Sequence, residues 1–178
     1  MTAAEPAMTD AEIVNIIATI RAAHPDLAPD GFFIASDRRP RHGPDDLTRK
    51  ERHIASRATM TRPERVAEFR TAWEFLTADG GPLLTRKINT HGTSYGWKHR
   101  AEEWVRDNRP DWPGKTYCSN GIFIVAAIHA GCLVERTAPD DPNAFVNLSM
   151  RMAPMWERRF PHGRRWRDRT VRGRTAVA

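Results

Sequence analysis

Between Thr85 and His99 the chain reads TRKINTHGTSYGWKH, a crowding of guanidinium, ammonium, amide, imidazole and hydroxyl groups around Gly92 and Gly96. Two kinds of chemistry use such a set. Arg86, Lys87, Asn89, His91 and Thr93 are donors suited to phosphate oxygens, and Ser94, Tyr95, Lys98 and His99 can also reach base edges. Alternatively, His91 or His99 can act as a base while Lys98 or Tyr95 stabilises developing charge. The rest of the chain adds little to the second reading. His91, His99, Cys118, His129 and Cys132 match no compact zinc spacing, and no glycine-rich phosphate loop is present. Glu102-Glu103 and Asp140-Asp141 are adjacent pairs, which diverge on a helix and are ordinary in a turn. Cys118 lacks a visible neighbour to lower its pKa. We therefore assign no catalytic residue, metal or cofactor from the sequence.

The cluster needs elements to hold it. Thr9-Asp10-Ala11-Glu12 is a capping box that opens a helix over about 10–23, with Ile13, Ile16, Ile17 and Ile20 as its apolar stripe. Gly31 to Ala35 reads as a short strand or an apolar plug. Residues 37–60 contain few apolar side chains and read as a flexible basic linker with one or two exposed helical turns. Thr61-Arg62-Pro63-Glu64 looks like a second capping box, ahead of a helix over about 62–78 that buries Val66, Phe69, Trp73 and Leu76. Pro82 to Ile88 is expected to form a short helix and residues 89–93 a turn. A helix over 94–108 follows, with Trp97, Ala101, Trp104 and Val105 inward and Tyr95, Lys98, His99 and Glu102 on the opposite face. Ser119-Asn120-Gly121 starts a helix that is apolar nearly all round, so it belongs at the centre. The runs CLVERT and AFVNLS, separated by turn residues, predict a β-hairpin.

Helix, short helix, turn and helix over 62–108 resemble the layout of helix-turn-helix proteins in general, over about 45 residues and without matching one family. That resemblance implies a recognition helix at 94–108, with Ser94, Tyr95, Lys98 and His99 facing bases. Arg86, Lys87, Asn89, His91 and Thr93 would anchor phosphates, and the later helix and hairpin would give a winged variant with Arg136 on the wing. A plainer arrangement competes with it: Asn89, His91 and Ser94 cap a helix, and Lys98 and Glu102 form an i,i+4 pair on a solvated face.

Charge placement points to an anionic partner. The pI is near 10.0, yet residues 64–155 carry eleven Lys or Arg and eleven acids. The excess sits in 37–63, with eight Lys or Arg against four acids, and in 156–178, with eight Arg against two. Arg164, Arg165 and Arg167 are placed to neutralise phosphates, and Trp166 to stack on an exposed base. We expect a mainly α protein: a small helical domain with a helix-turn-helix-like unit and one β-hairpin. Residues 1–36 would pack on a core at 61–155, with the basic insertion at 37–60 and the Arg-rich tail at 156–178. The expected function is nonenzymatic binding of nucleic acid, DNA in preference, in transcriptional regulation or mobile-element maintenance. The alternatives are an enzyme acting on a phosphate-rich substrate through the His/Lys/Tyr cluster, and an adaptor for an acidic protein or RNA. Without a signal segment or a long apolar run, a cytoplasmic location without membrane contact is expected. The oligomeric state is left open, a homodimer included.

Overall fold

A computed structural model describes residues 8–33, 48–78 and 81–152. Among them five helices and five strands follow in order: α1 (Asp10–Ala23), β1 (Leu27–Ala28), β2 (Gly31–Phe32), α2 (Arg49–Ala58), α3 (Pro63–Thr77), β3 (Leu84–Thr93), α4 (Ser94–Asn108), α5 (Asn120–His129), β4 (Val134–Arg136) and β5 (Ala144–Leu148). Strands β1 and β2 make a small hairpin, and the second sheet is antiparallel in the order β3-β5-β4.

Helix α5 lies at the centre because its sequence leaves no polar face. Ile122, Phe123, Ile124, Val125, Ala126 and Ala127 are all buried, against α3, α1, α4 and the β1–β2 hairpin. Each fully buried Ile, Val or Phe contributes about 1.5–3 kcal/mol over its exposed state. Helix α3 supplies Val66, Phe69, Ala72, Phe75 and Leu76, and α1 supplies Ile13 and Ile17. The Thr9 capping box at the start of α1 is complete: its hydroxyl accepts from the Glu12 amide, and the Glu12 carboxylate accepts from the Thr9 amide at 2.6 Å.

Several expectations are corrected. The stretch 84–93 is not a helix and a turn but strand β3, paired with β5 at Leu84↔Leu148, Asn89↔Val146 and Thr93↔Phe145. Thr85, Ile88, Thr90 and Thr93 are β-branched and suit a pleated surface. The ladder is irregular between these pairs, and buried side chains hold it together. Asn89 donates to the Leu148 carbonyl and accepts from the His91 amide; Asn147 donates to the Thr85 carbonyl and accepts from the Leu133 amide. The fold is therefore mixed α/β, not a small helical domain, and α4 has no preceding short helix to form a helix-turn-helix.

The hairpin β4–β5 stands where a wing was expected. The helix ahead of it is α5, which is buried from Asn120 to Ala127 and offers no reading face.

Within the expected linker, Arg49–Ala58 is a full helix with its own capping box, Thr48 with Glu51. The Thr61–Glu64 box does not form: α3 starts at Pro63, and its N-cap Arg62 makes no side-chain cap bond. The remainder of the expected insertion, 37–47, and the tail with Arg164, Arg165, Trp166 and Arg167 lie outside the described residues. Among the described residues no helix is long and apolar enough to cross a membrane.

A candidate nucleic-acid interface along α4

Two buried carboxylates organise this region. Glu68 on α3 and Glu102 on α4 are 6% and 8% exposed. One Glu68 oxygen accepts from the Ser119 amide at 3.0 Å and from its hydroxyl at 2.5 Å, while the other pairs with Arg65 at 2.5 Å. Glu102 accepts from the Cys118 amide at 2.9 Å and the Lys98 ammonium at 3.0 Å through one oxygen, and its other oxygen meets His99 Nδ1 at 2.9 Å. Successive amides just ahead of α5 are thus gripped from two helices by charge-assisted bonds, on the side of the helix dipole that favours anions.

This clamp folds residues 114–118 over the polar face of α4, which is why Lys98 and Glu102 are buried. The Lys98 ammonium lies 5.1 Å from the Tyr95 ring centroid and 5.2 Å from that of Tyr117. Tyr95 also meets His99 edge-on, with centroids 4.6 Å apart. Beside them runs an open groove of about 430 Å³, lined by Glu102, Arg106, Gly114, Lys115, Thr116 and Tyr117. Tyr95, Lys98, His99, Glu102 and Arg106 follow one stripe of α4 at intervals of three and four; Glu102 and Arg106 line the groove, and Tyr95 and His99 lie on the same stripe toward the helix start.

The residues expected from sequence divide into three groups. Tyr95 and His99 are exposed at the start of α4, and Arg86, Lys87 and His91 are exposed on β3, an edge strand. Thr93 is half-buried as the N-cap of α4. The second group is turned inward. Ser94 is buried with its hydroxyl accepting from the Ala144 amide, Asn89 spans the β3–β5 ladder, and Lys98 is 4% exposed. Burial takes Ser94 and Lys98 off the base-reading surface. Arg136 is engaged elsewhere: it donates to the Phe33 and Pro139 carbonyls at 2.8 and 2.9 Å and lies over the Phe32 ring. Sequence reasoning missed Glu68, Arg106, Lys115 and Tyr117 as parts of the site. The one available signal was TYCSN itself, polar residues leading directly into an apolar helix.

Neither cysteine belongs to this chemistry. Burial, and then the Glu68 and Glu102 carboxylates, push the Cys118 thiol well above its usual range, and burial raises Cys132 to about 12. Both should therefore resist modification in the folded protein. A thiol reagent at about pH 8 is expected to modify both only on the timescale of unfolding. Prompt reaction of Cys118 would show that the carboxylate clamp opens readily. Among the described residues, no three His, Cys, Asp or Glu side chains are grouped to hold a metal ion.

No family model, no curated protein and no solved structure matches this chain.

Proposed function

We propose that the protein binds nucleic acid, DNA in preference, along the α4 groove, gripping phosphates rather than reading base pairs with an inserted helix, and performs no reaction on it. The observation that carries this reading is the lining of the groove. Arg106 and Lys115 are exposed there and make no ion pair among the described residues, and Tyr117 lines the same groove with its ring near the internally paired Lys98. Arg86 and Lys87 extend the basic surface on β3, which runs straight into α4. The pairing of Lys98 with Glu102 leaves the buried cluster structural, so exposed cations supply the attraction. A cytoplasmic location is part of this proposal.

Anisotropy of a labelled mixed-sequence DNA, titrated between about 50 and 200 mM salt, tests it. Affinity should fall steeply with salt. Replacing Arg106 and Lys115 together by Gln should weaken binding about equally for all sequences and reduce the logarithmic salt slope by about two. A slope that does not change in that variant would remove the groove from the contact.

One observation favours the catalytic alternative. Glu102 holds His99 through Nδ1, and the His99 side chain is 46% exposed, the arrangement in which a carboxylate orients a general base. Nucleic-acid cleavage that is lost in His99→Ala and retained in Arg106→Gln would establish that reading over ours.

A further inference from the structure

The protein contains two tyrosines in all, Tyr95 and Tyr117. They lie 22 positions apart on different elements, yet both rings come within cation–π distance of one ammonium, that of Lys98. Each tyrosine is about half exposed, 52% for Tyr95 and 54% for Tyr117. A large aromatic that had only a packing role would be expected to bury more of its ring. Lys98 is itself almost wholly buried and bonded to Glu102, so the ring positions are fixed from beneath. Glu102 also bonds the Cys118 amide, next to Tyr117. The same carboxylate therefore connects to both tyrosines, through Lys98 and through the Cys118 amide. Arg106 and Lys115 line the same groove as Tyr117, so cations and an aromatic ring share one surface.

From this juxtaposition we infer that the groove and the α4 surface beside it take single-stranded nucleic acid, with unpaired bases stacking on Tyr117 in the groove and on Tyr95 next to it while Arg106 and Lys115 hold the adjoining phosphates. The inference rests on the proposed function and narrows its substrate class. Base stacking on an aromatic ring is tolerant of sequence and is closed to a duplex, whose base faces are already stacked. A half-exposed tyrosine fixed by a buried cation offers a preorganised platform, which lowers the ordering cost of binding. Burial, followed by the Glu68 and Glu102 charges, raises the Tyr117 phenol above its ordinary pKa. Two of the four α4 residues expected to reach base edges, Ser94 and Lys98, face inward, so only Tyr95 and His99 of that set remain at the surface.

The test uses the full chain and three probes: an oligothymidylate of about fifteen nucleotides, the same strand paired with oligodeoxyadenylate, and inorganic polyphosphate, which has charge and no bases. The single strand should bind about tenfold more tightly than the duplex. Tyr117→Ala should weaken single-strand binding by roughly 5- to 150-fold, the factor that loss of one stacked base implies, with less than about a twofold effect on the duplex. Tyr117→Phe, which keeps the ring, should restore single-strand binding to near the parent value. Labelling tyrosine rings for NMR gives two ring spin systems, and both should shift with oligothymidylate and stay in place with polyphosphate. Equal binding of single strand and duplex, or equal ring shifts with polyphosphate, would overturn the stacking site and leave phosphate binding standing. Absence of binding to every probe would instead overturn the proposed function itself.

Discussion

Glu102→Ala should destabilise the protein by about 3–5 kcal/mol, the range for removing one partner of a buried ion pair. If Lys98 and Glu102 were an exposed i,i+4 pair, the same change would cost only about 0.3–0.5 kcal/mol. The tenfold gap makes denaturant unfolding decisive. The large value is expected because Glu102 is 8% exposed and serves three donors: Lys98, His99 and the Cys118 amide. Its loss strands a buried ammonium and a buried N–H together. A second variant separates charge from shape. In Lys98→Met with Glu102→Gln, the glutamine oxygen can still accept from the Cys118 amide and no unpaired charge remains. That double variant should recover most of the lost stability. A cost below about 1 kcal/mol for Glu102→Ala would mean that residues 114–118 do not cover α4 as described.

Gly121→Ala is expected to be strongly destabilising. A Cβ there would lie 1.8 Å from the Ala28 carbonyl oxygen and 2.9 Å from that of Pro29, both backbone atoms. The Gly121 amide donates to the Pro29 carbonyl at 2.7 Å, so the β1–β2 hairpin is drawn directly onto α5. Relief requires that hairpin to move away from the core helix. Ala improves helix propensity by about 1 kcal/mol over Gly, whereas overpacking costs about 1–3 kcal/mol, and a clash with backbone atoms that cannot rotate away belongs at the top of that range. The net loss should be about 2 kcal/mol or greater. Gly96→Ala is the matched control: a Cβ there meets nothing within 4 Å. The propensity gain should then appear alone, as stabilisation of up to about 1 kcal/mol and a Tm rise of a few degrees. Similar effects at both glycines would contradict the close approach of β1 to α5.

What the sequence revealed follows from the range of the interactions involved. Helix α1 and its start were readable because the capping box and the isoleucine stripe are both local. The same holds for α4, whose four expected core residues are buried, for α5, and for the hairpin β4–β5. Strand β3 was not readable because Leu83, Leu84 and Ile88 are spaced as a helical turn would space them. What makes it a strand is its partner β5, some sixty residues away, and the side chains of Asn89 and Asn147 that bridge the irregular ladder. The site shows the same division. Tyr95, Lys98 and His99 on α4 stood out in the sequence and Arg106 did not; Glu102 read as the partner of Lys98 on a solvated face, and Glu68 gave no signal. Only the folding of 114–119 onto α3 and α4 turns them into a clamp, and that same event buries Lys98 and leaves Tyr95 and Tyr117 at the surface.

Nucleic acid bound in the groove beside α4 would cover residues 114–118, and amide hydrogen exchange of the full chain, with and without DNA, detects that cover. Residues 114–118 form no helix or strand, so their amides report contact sensitively. Slowed exchange there and in the first turns of α4 is the result our account predicts. Protection confined to the β4–β5 hairpin or to 156–178, with 94–118 unchanged, would contradict it.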